Sequence, residues 1–184
     1  WWGIDPNALL PPWRGDPHPA SRSNYLSCMV IPIARFLLLF TGALVVGSMF
    51  AIWAGYDPRG FSYATFVEVH QQAVRGLNVV IPVLGLDTIV LTLLLAYLQR
   101  AWKSQLVTLL VAAGFLLIAG LLTRYGCQPI NAIVLGWSVE NPPSDWEVLR
   151  DSWWQFHVLR LVAGLIGYAL VVVSVLRRPV GWIT

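Results

Sequence analysis

Charge is what this sequence has least of. Asp, Glu, Lys and Arg make up 11% of its 184 residues against 57% hydrophobic residues, and mean hydropathy is +0.66, whereas soluble domains carry about a quarter charged residues. So little charge cannot cover a soluble globule with this much apolar area, which sets aside a set of buried helices in a soluble protein. The net charge of +3 is small and its basic residues are scattered, so no Lys/Arg stripe offers nucleic acid a docking surface. Cysteine is scarce: Cys28 and Cys127 belong to no CxxC pair, which removes zinc and redox motifs. Of the three histidines, His70 and His157 fall near helix ends where a haem or copper is conceivable. Yet no two share an i, i+4 face, no Glu-x-x-His pair occurs, and Glu68 and His70 diverge on a helix. No metal and no protein-bound cofactor is expected.

Long apolar runs are what the chain has in plenty. A bilayer-crossing helix needs about 20 largely apolar residues, or about 17 at the short end. Phe36 to Trp53, Leu77 to Leu98, Leu106 to Leu122 and Leu161 to Leu176 qualify, Asp87 being the one charge among them. The expected fold class is all-α: an integral membrane four-helix up-down bundle in a lipid bilayer. With four spans, both termini and the central loop share a side. That side carries Arg14, Arg22, Arg35, Arg100, Lys103, Arg177 and Arg178. The opposite side carries Arg59, Arg75, Arg124, Arg150 and Arg160 diluted by six carboxylates. The bias places both termini in the cytoplasm of a plasma (inner) membrane protein, with Cys28 and Cys127 on opposite faces and beyond bridging distance.

Residues 1–28 read as a Trp- and Pro-rich cytoplasmic tail, either an upstream extension or an interfacial anchor, and residues 29–184 as the transmembrane domain. Ala43, Gly47 and Ala51 on the first span, and Ala163 and Gly167 on the fourth, form small-residue ridges that suit close helix packing. The second and fourth helices are expected to extend beyond the membrane on the outer side. Thr65 to Glu68 and Ser144 to Glu147 read as capping boxes, and Pro82 as a kink. An isolated carboxylate inside a span is costly. Asp87 is therefore read as structural, protonated or bonded to Thr88, Thr92 or a neighbouring helix, since no second carboxylate continues a proton relay.

Helical spacing places Trp146, Arg150, Trp153, His157 and Arg160 in one stripe, and Glu68, Gln71, Gln72, Arg75 and Asn78 in another. If the stripes face each other they enclose a polar, aromatic-walled pocket at the outer mouth; the bland alternative is an interfacial Trp/Arg belt.

The run from Thr123 through Gln128-Pro129-Ile130-Asn131 to Val134, followed by Trp137, Asp145-Trp146, Arg150, Trp153-Trp154, His157 and Arg160, resembles the anthrone oxygenase-like family of small four-helix membrane proteins. The likeness extends upstream through Ala54 to Pro58 and Val67 to Gln72, covering nearly everything after Met29. Bacterial members of this family commonly have no known activity, and some fungal members oxidise anthrones to anthraquinones. The chain departs from the bacterial pattern at His70, where Gln is usual, and at Cys127, where Asn is usual. With no local base, Cys127 reads as a small packing residue.

The function expected from these residues is binding, and oxygenation, of a small aromatic or quinone-like molecule without a protein-bound cofactor. Trp137, Trp146 and Trp153 would stack on it. Arg150 and Arg160 would stabilise an enolate or phenolate, and His157 would remove a proton. Gln71, Arg75, Asn78, Gln128 and Asn131 complete the binding set. The alternative from another class is a noncatalytic accessory subunit docked through its ridges and tail on a membrane-protein partner.

Overall fold

The computed structural model describes residues 22–177. Helix α1 spans Arg22–Gly55, so the helix begins inside the stretch read as tail; residues 1–21 lie outside the described residues. Beyond Gly55 a 3₁₀ turn, Pro58–Gly60, is held by Asp57, whose carboxylate accepts from the Arg59 amide at 3.1 Å. Helix α2, Tyr63–Leu77, starts at Ser62, whose Oγ accepts from the Thr65 amide at 3.3 Å. The cap expected at Thr65 is therefore Ser62, three residues earlier.

Helix α3 runs Val80–Leu98 and is separate from α2. The cause is Pro82. A helical proline has no N–H to donate, and its ring collides with the carbonyl four residues back, here Asn78, which terminates α2. What reads as a kink at Pro82 is thus a break at Asn78 and Val79.

Helix α4, Lys103–Leu121, does not stop where the apolar run ends. It passes through a π turn, Leu122–Cys127, into α5, Gln128–Leu135. In the π turn the Gln128 amide reaches back to the Thr123 carbonyl, and Pro129, next in line, has no amide to restore the α ladder. Wide turns of this kind are frequent at functional sites. Gly126 is needed here, because a Cβ would lie 2.5 Å from the Phe156 ring. Helix α6, Trp146–Leu176, begins two residues after Ser144 without a side-chain cap; the Trp146 amide bonds instead to the Pro143 carbonyl at 3.3 Å.

Four helical stretches, Met29–Gly60, Val80–Leu98, Lys103–Leu135 and Trp146–Leu176, are long and apolar enough to cross a membrane. Their outward faces are dense in exposed Leu, Val, Ile and Phe, so this is a multi-pass, all-α membrane bundle, with α2 and the first turns of α6 extending beyond the apolar core. The helices alternate in direction, and α6 packs most extensively on α4. Gly167 makes that contact close, since a Cβ would stand 3.0 Å from the Ala112 carbonyl oxygen, and Ala163 is buried with it. The α1 ridge behaves differently. Ala43, Gly47 and Ala51 are exposed, because the inward phase of α1 is set by Leu38, Thr41, Gly42, Val45 and Met49. Gly42, not Gly47, is the point of close approach, against the Tyr168 ring. Asp87 is likewise exposed. Thr88 bonds to the Leu84 carbonyl and Thr41 hydroxyl, and Thr92 to the Thr88 carbonyl, so neither holds the carboxylate.

The two ends of the bundle differ. One is a tight turn through Gln99–Trp102. The other carries α2, the 3₁₀ turn, the π turn and α5 as a collar around the start of α6.

Candidate functional site

Asn131 organises the collared end. The π turn and α5 carry it inward, and its amide is surrounded by polar groups from two other helices, α2 and α6. Trp153 Nε1 donates to Asn131 Oδ1 at 2.8 Å. An indole nitrogen only donates, so this contact fixes the amide orientation: Asn131 Nδ2 faces Asn78 Oδ1, to which it donates at 3.0 Å. His70 Nε2 also meets Asn131 Oδ1, at 3.1 Å, and must therefore carry the proton. His70 Nδ1 is left as the acceptor for the Tyr56 hydroxyl at 3.1 Å. The imidazole is neutral. Burial pushes its pKa down to about 4, the positive charge of Arg160 acting in the same direction against the raising effect of Asn131.

A second imidazole is locked the same way. His157 Nε2 lies 3.1 Å from the Met49 carbonyl, which accepts only, so His157 Nε2 donates and Nδ1 is an acceptor. Arg160 fills that position with Nε at 3.2 Å and Nη2 at 2.9 Å. Both residues are buried, and the His157 ring is sandwiched between Trp153 and Trp154 at centroid distances of 5.3 and 5.6 Å. With both nitrogens engaged, His157 holds the guanidinium in place and has no free lone pair with which to take a proton.

Arg160 is the unusual group. Its other contacts are Thr123 Oγ1 at 3.5 Å and the Trp153 ring at 5.9 Å. Among the described residues the ion pairs are Arg59 with Asp57 and Arg150 with Asp151, so no carboxylate neutralises Arg160. A buried charge without a counter-charge is costly. The guanidinium borders a cavity of about 340 Å³ between α1, α2, α3, α5 and α6, whose walls include Tyr56, His70, Asn78, Thr123, Asn131 and Trp153. That volume falls at the lower end of small-molecule sites, about 300 to 1,000 Å³.

Of the residues singled out in the sequence, the cavity brings together Asn78, Asn131, Trp153 and Arg160, with His157 directly behind Arg160. The others lie elsewhere. Arg150 bonds to Asp151 at 2.9 Å and sits 4.8 Å above the Trp146 ring. Ten residues separate it from Arg160, a rise of about 15 Å along a helix, so the two do not converge. Trp137 and Trp146 pack against Tyr63 and Phe66 in an aromatic cluster nearer the bundle end. Gln71 does structural work: its amide nitrogen donates to the Val134 and Trp137 carbonyls at 2.9 and 3.0 Å, closing the carboxyl end of α5. Arg75 is exposed and reaches only Gln71, at 3.4 Å. Gln128 borders a second cavity, next to Arg124. Sequence reasoning passed over Tyr56 as a wall residue and discounted His70, which is 1% exposed and central. Cys127 is buried and free, packed with Phe66, Ile130 and Trp153 as a small core residue. Among the described residues no group of three or more His, Cys, Asp or Glu side chains comes together.

No curated protein and no solved structure matches the chain. A family model described as anthrone oxygenase matches residues 71–170, a stretch that contains Asn78, Thr123, Asn131, Trp153, His157 and Arg160 and covers more than half of the sequence. The chain belongs to the anthrone oxygenase family.

Proposed function

We propose that the collared cavity binds a planar, weakly acidic aromatic ketone of the anthrone or quinone type, holds it as its anion against Arg160, and lets that anion react with dioxygen. The observation that carries this reading is the buried Arg160 guanidinium, which borders the cavity without a carboxylate partner among the described residues. An enolate oxygen would supply the missing counter-charge, and stabilising charge as it develops in a dry site is the largest single contribution to many reactions. The substrate's methylene carbon gives up a proton, and the resulting carbanion transfers electrons to dioxygen and forms a C–O bond. One oxygen atom becomes the new carbonyl and the other leaves as water, so anthrone plus dioxygen balances with anthraquinone plus water.

In this scheme Trp153 offers a stacking face, and Asn78 and Asn131 line the polar edge. His157 positions Arg160. His70, the one imidazole among the described residues that borders the cavity, receives the proton at Nδ1 once the Tyr56 hydroxyl swings away, a role the sequence reading gave to His157. Because burial pushes its pKa down to about 4, His70 stays neutral and competent through the physiological range. Purified protein in lipid nanodiscs should convert anthrone to anthraquinone with one dioxygen consumed per product. The rate attributable to proton removal should hold as pH is lowered through 6.5 and fall only near 4. A rate equal to that of empty nanodiscs would remove the enzymatic reading.

The accessory-subunit reading draws on the exposed Ala43, Gly47 and Ala51, but leaves the Arg160 charge and its adjoining cavity without a role. For orientation, the Lys and Arg bias supports a plasma (inner) membrane protein with both termini cytoplasmic and the collared end outside. A reporter active only in the cytoplasm should give signal when fused after Arg177 and none when fused after Asn141; the reverse pattern would invert the topology.

A further inference from the structure

The collared cavity has an apolar neighbour. A second cavity of about 330 Å³ lies between α1, α3 and α4 within the membrane-spanning part, and its wall shares Met49, Ile81, Pro82 and Thr123 with the first. The cause is visible in α3. From Val79 to Asp87 it has no fully buried residue, whereas Thr88, Thr92, Leu95 and Ala96 farther along are buried. The first half of α3, cut from α2 by Pro82, meets the core only through the partly buried Ile81 and Leu84, which pack on Val45, Met49 and Leu161, and both cavities border it.

The second cavity faces lipid. Leu86, Leu117 and Leu121 border it while being 64%, 50% and 46% exposed on the outer surface of α3 and α4, at depths where the surroundings are acyl chains. Two glycines keep the gap open. A Cβ at Gly85 would meet nothing within 4 Å, and one at Gly120 only the Ile89 side-chain tip at 3.8 Å. These glycines therefore leave space rather than close a helix contact, unlike Gly42 and Gly167. At the inner end of the passage stands Thr123, hydrogen-bonded to Arg160.

We infer that the cavity between α3 and α4 is a lateral portal through which an apolar, bilayer-dissolved aromatic molecule passes from the lipid to Arg160. The inference rests on the ligand-binding reading above and adds the physical source of the ligand. A polycyclic aromatic ketone partitions into hydrocarbon because its apolar surface leaves water favourably. A portal open to lipid draws on that concentrated pool. The wall of the passage is largely apolar, with Arg124 and Gln128 at its collared rim, and the buried guanidinium of Arg160 stands at the inner end, where ionisation becomes favourable.

Gly85→Phe and Gly120→Phe each place a ring in the passage from opposite walls, away from the residues around Arg160. Gln72→Trp adds a ring on the exposed face of α2 at the collared end, outside the walls of both cavities. Anthrone binding under nitrogen to protein in nanodiscs, followed by stopped-flow tryptophan fluorescence, reads the effect. Both glycine variants should slow association and dissociation by about tenfold or more while Kd stays within about twofold, because a blocked route raises the barrier without altering the bound state. Gln72→Trp should leave the association rate near that of wild type. Wild-type association rates in the glycine variants, or slowing by Gln72→Trp as great as theirs, would overturn the portal while leaving the binding reading intact. No anthrone binding to wild type would overturn both. Gel filtration of each variant checks folding, and the two glycine sites serve as replicates should one variant misfold.

Discussion

Replacing Arg160 by Ala should lower anthrone turnover by about a hundred- to a thousandfold, the loss typical of deleting a donor that stabilises a developing oxyanion. The bundle should survive. The substitution leaves His157 Nδ1 without its donor, at about 1–3 kcal/mol, but it also removes a buried charge that no carboxylate offsets. Arg160→Lys keeps the charge and loses the two-nitrogen grip on His157, so activity should fall between wild type and the Ala variant. Turnover and gel filtration measured together separate the cases. An Arg160→Ala protein that is folded and fully active contradicts the anion role, and one that does not fold makes Arg160 a structural strut.

The largest expected loss of stability is at Asn131. Leu at this position is close in volume but strips the partner from two buried donors, Trp153 Nε1 and His70 Nε2, and releases Asn78. Each buried donor left unpaired costs about 1–3 kcal/mol. Thermal unfolding in detergent should therefore begin well below wild type. Asn131→Asp should recover much of the loss, since a carboxylate still accepts from both rings while the Asn78 amide turns to donate. Equal unfolding temperatures for Asn131→Leu and wild type would mean that the network is not what joins α5 to α2 and α6.

The spans were legible because about 20 apolar residues in a row identify a membrane helix whatever it packs against. Helix ends depend on atoms outside the run, and there the sequence was read less well. The break at Asn78 follows from Pro82 acting four residues back, a consequence of ring geometry that hydropathy does not display. The continuation of α4 through Gly126 and Pro129 was hidden for the opposite reason. Those residues suggest a loop, whereas packing on Phe156 and a π turn keep them helical. This concealed how deeply Asn131, one of the expected binding residues, is carried into the bundle, and with it the reason that His70 is central.

Spacing along α6 gave an azimuth but not a depth. Trp153, His157 and Arg160 do meet, while Arg150 and Trp146, on the same stripe, end in the collar. The small-residue ridge on α1 was misread because the phase of a membrane helix cannot be taken from small residues alone when both lipid and protein faces are apolar.

The most direct test of the central claim uses the ligand itself as the indicator. Anthrone and its enolate differ in absorption, so a pH titration of anthrone bound to nanodisc-embedded protein under nitrogen reports how the cavity treats the anion. A cation at contact distance lowers an acid's pKa by about 1–3 units. Bound anthrone is expected to ionise at lower pH than anthrone in empty nanodiscs, and Arg160→Ala should abolish the difference. A bound ligand that ionises at the same pH as in lipid alone, or at higher pH, would contradict the account.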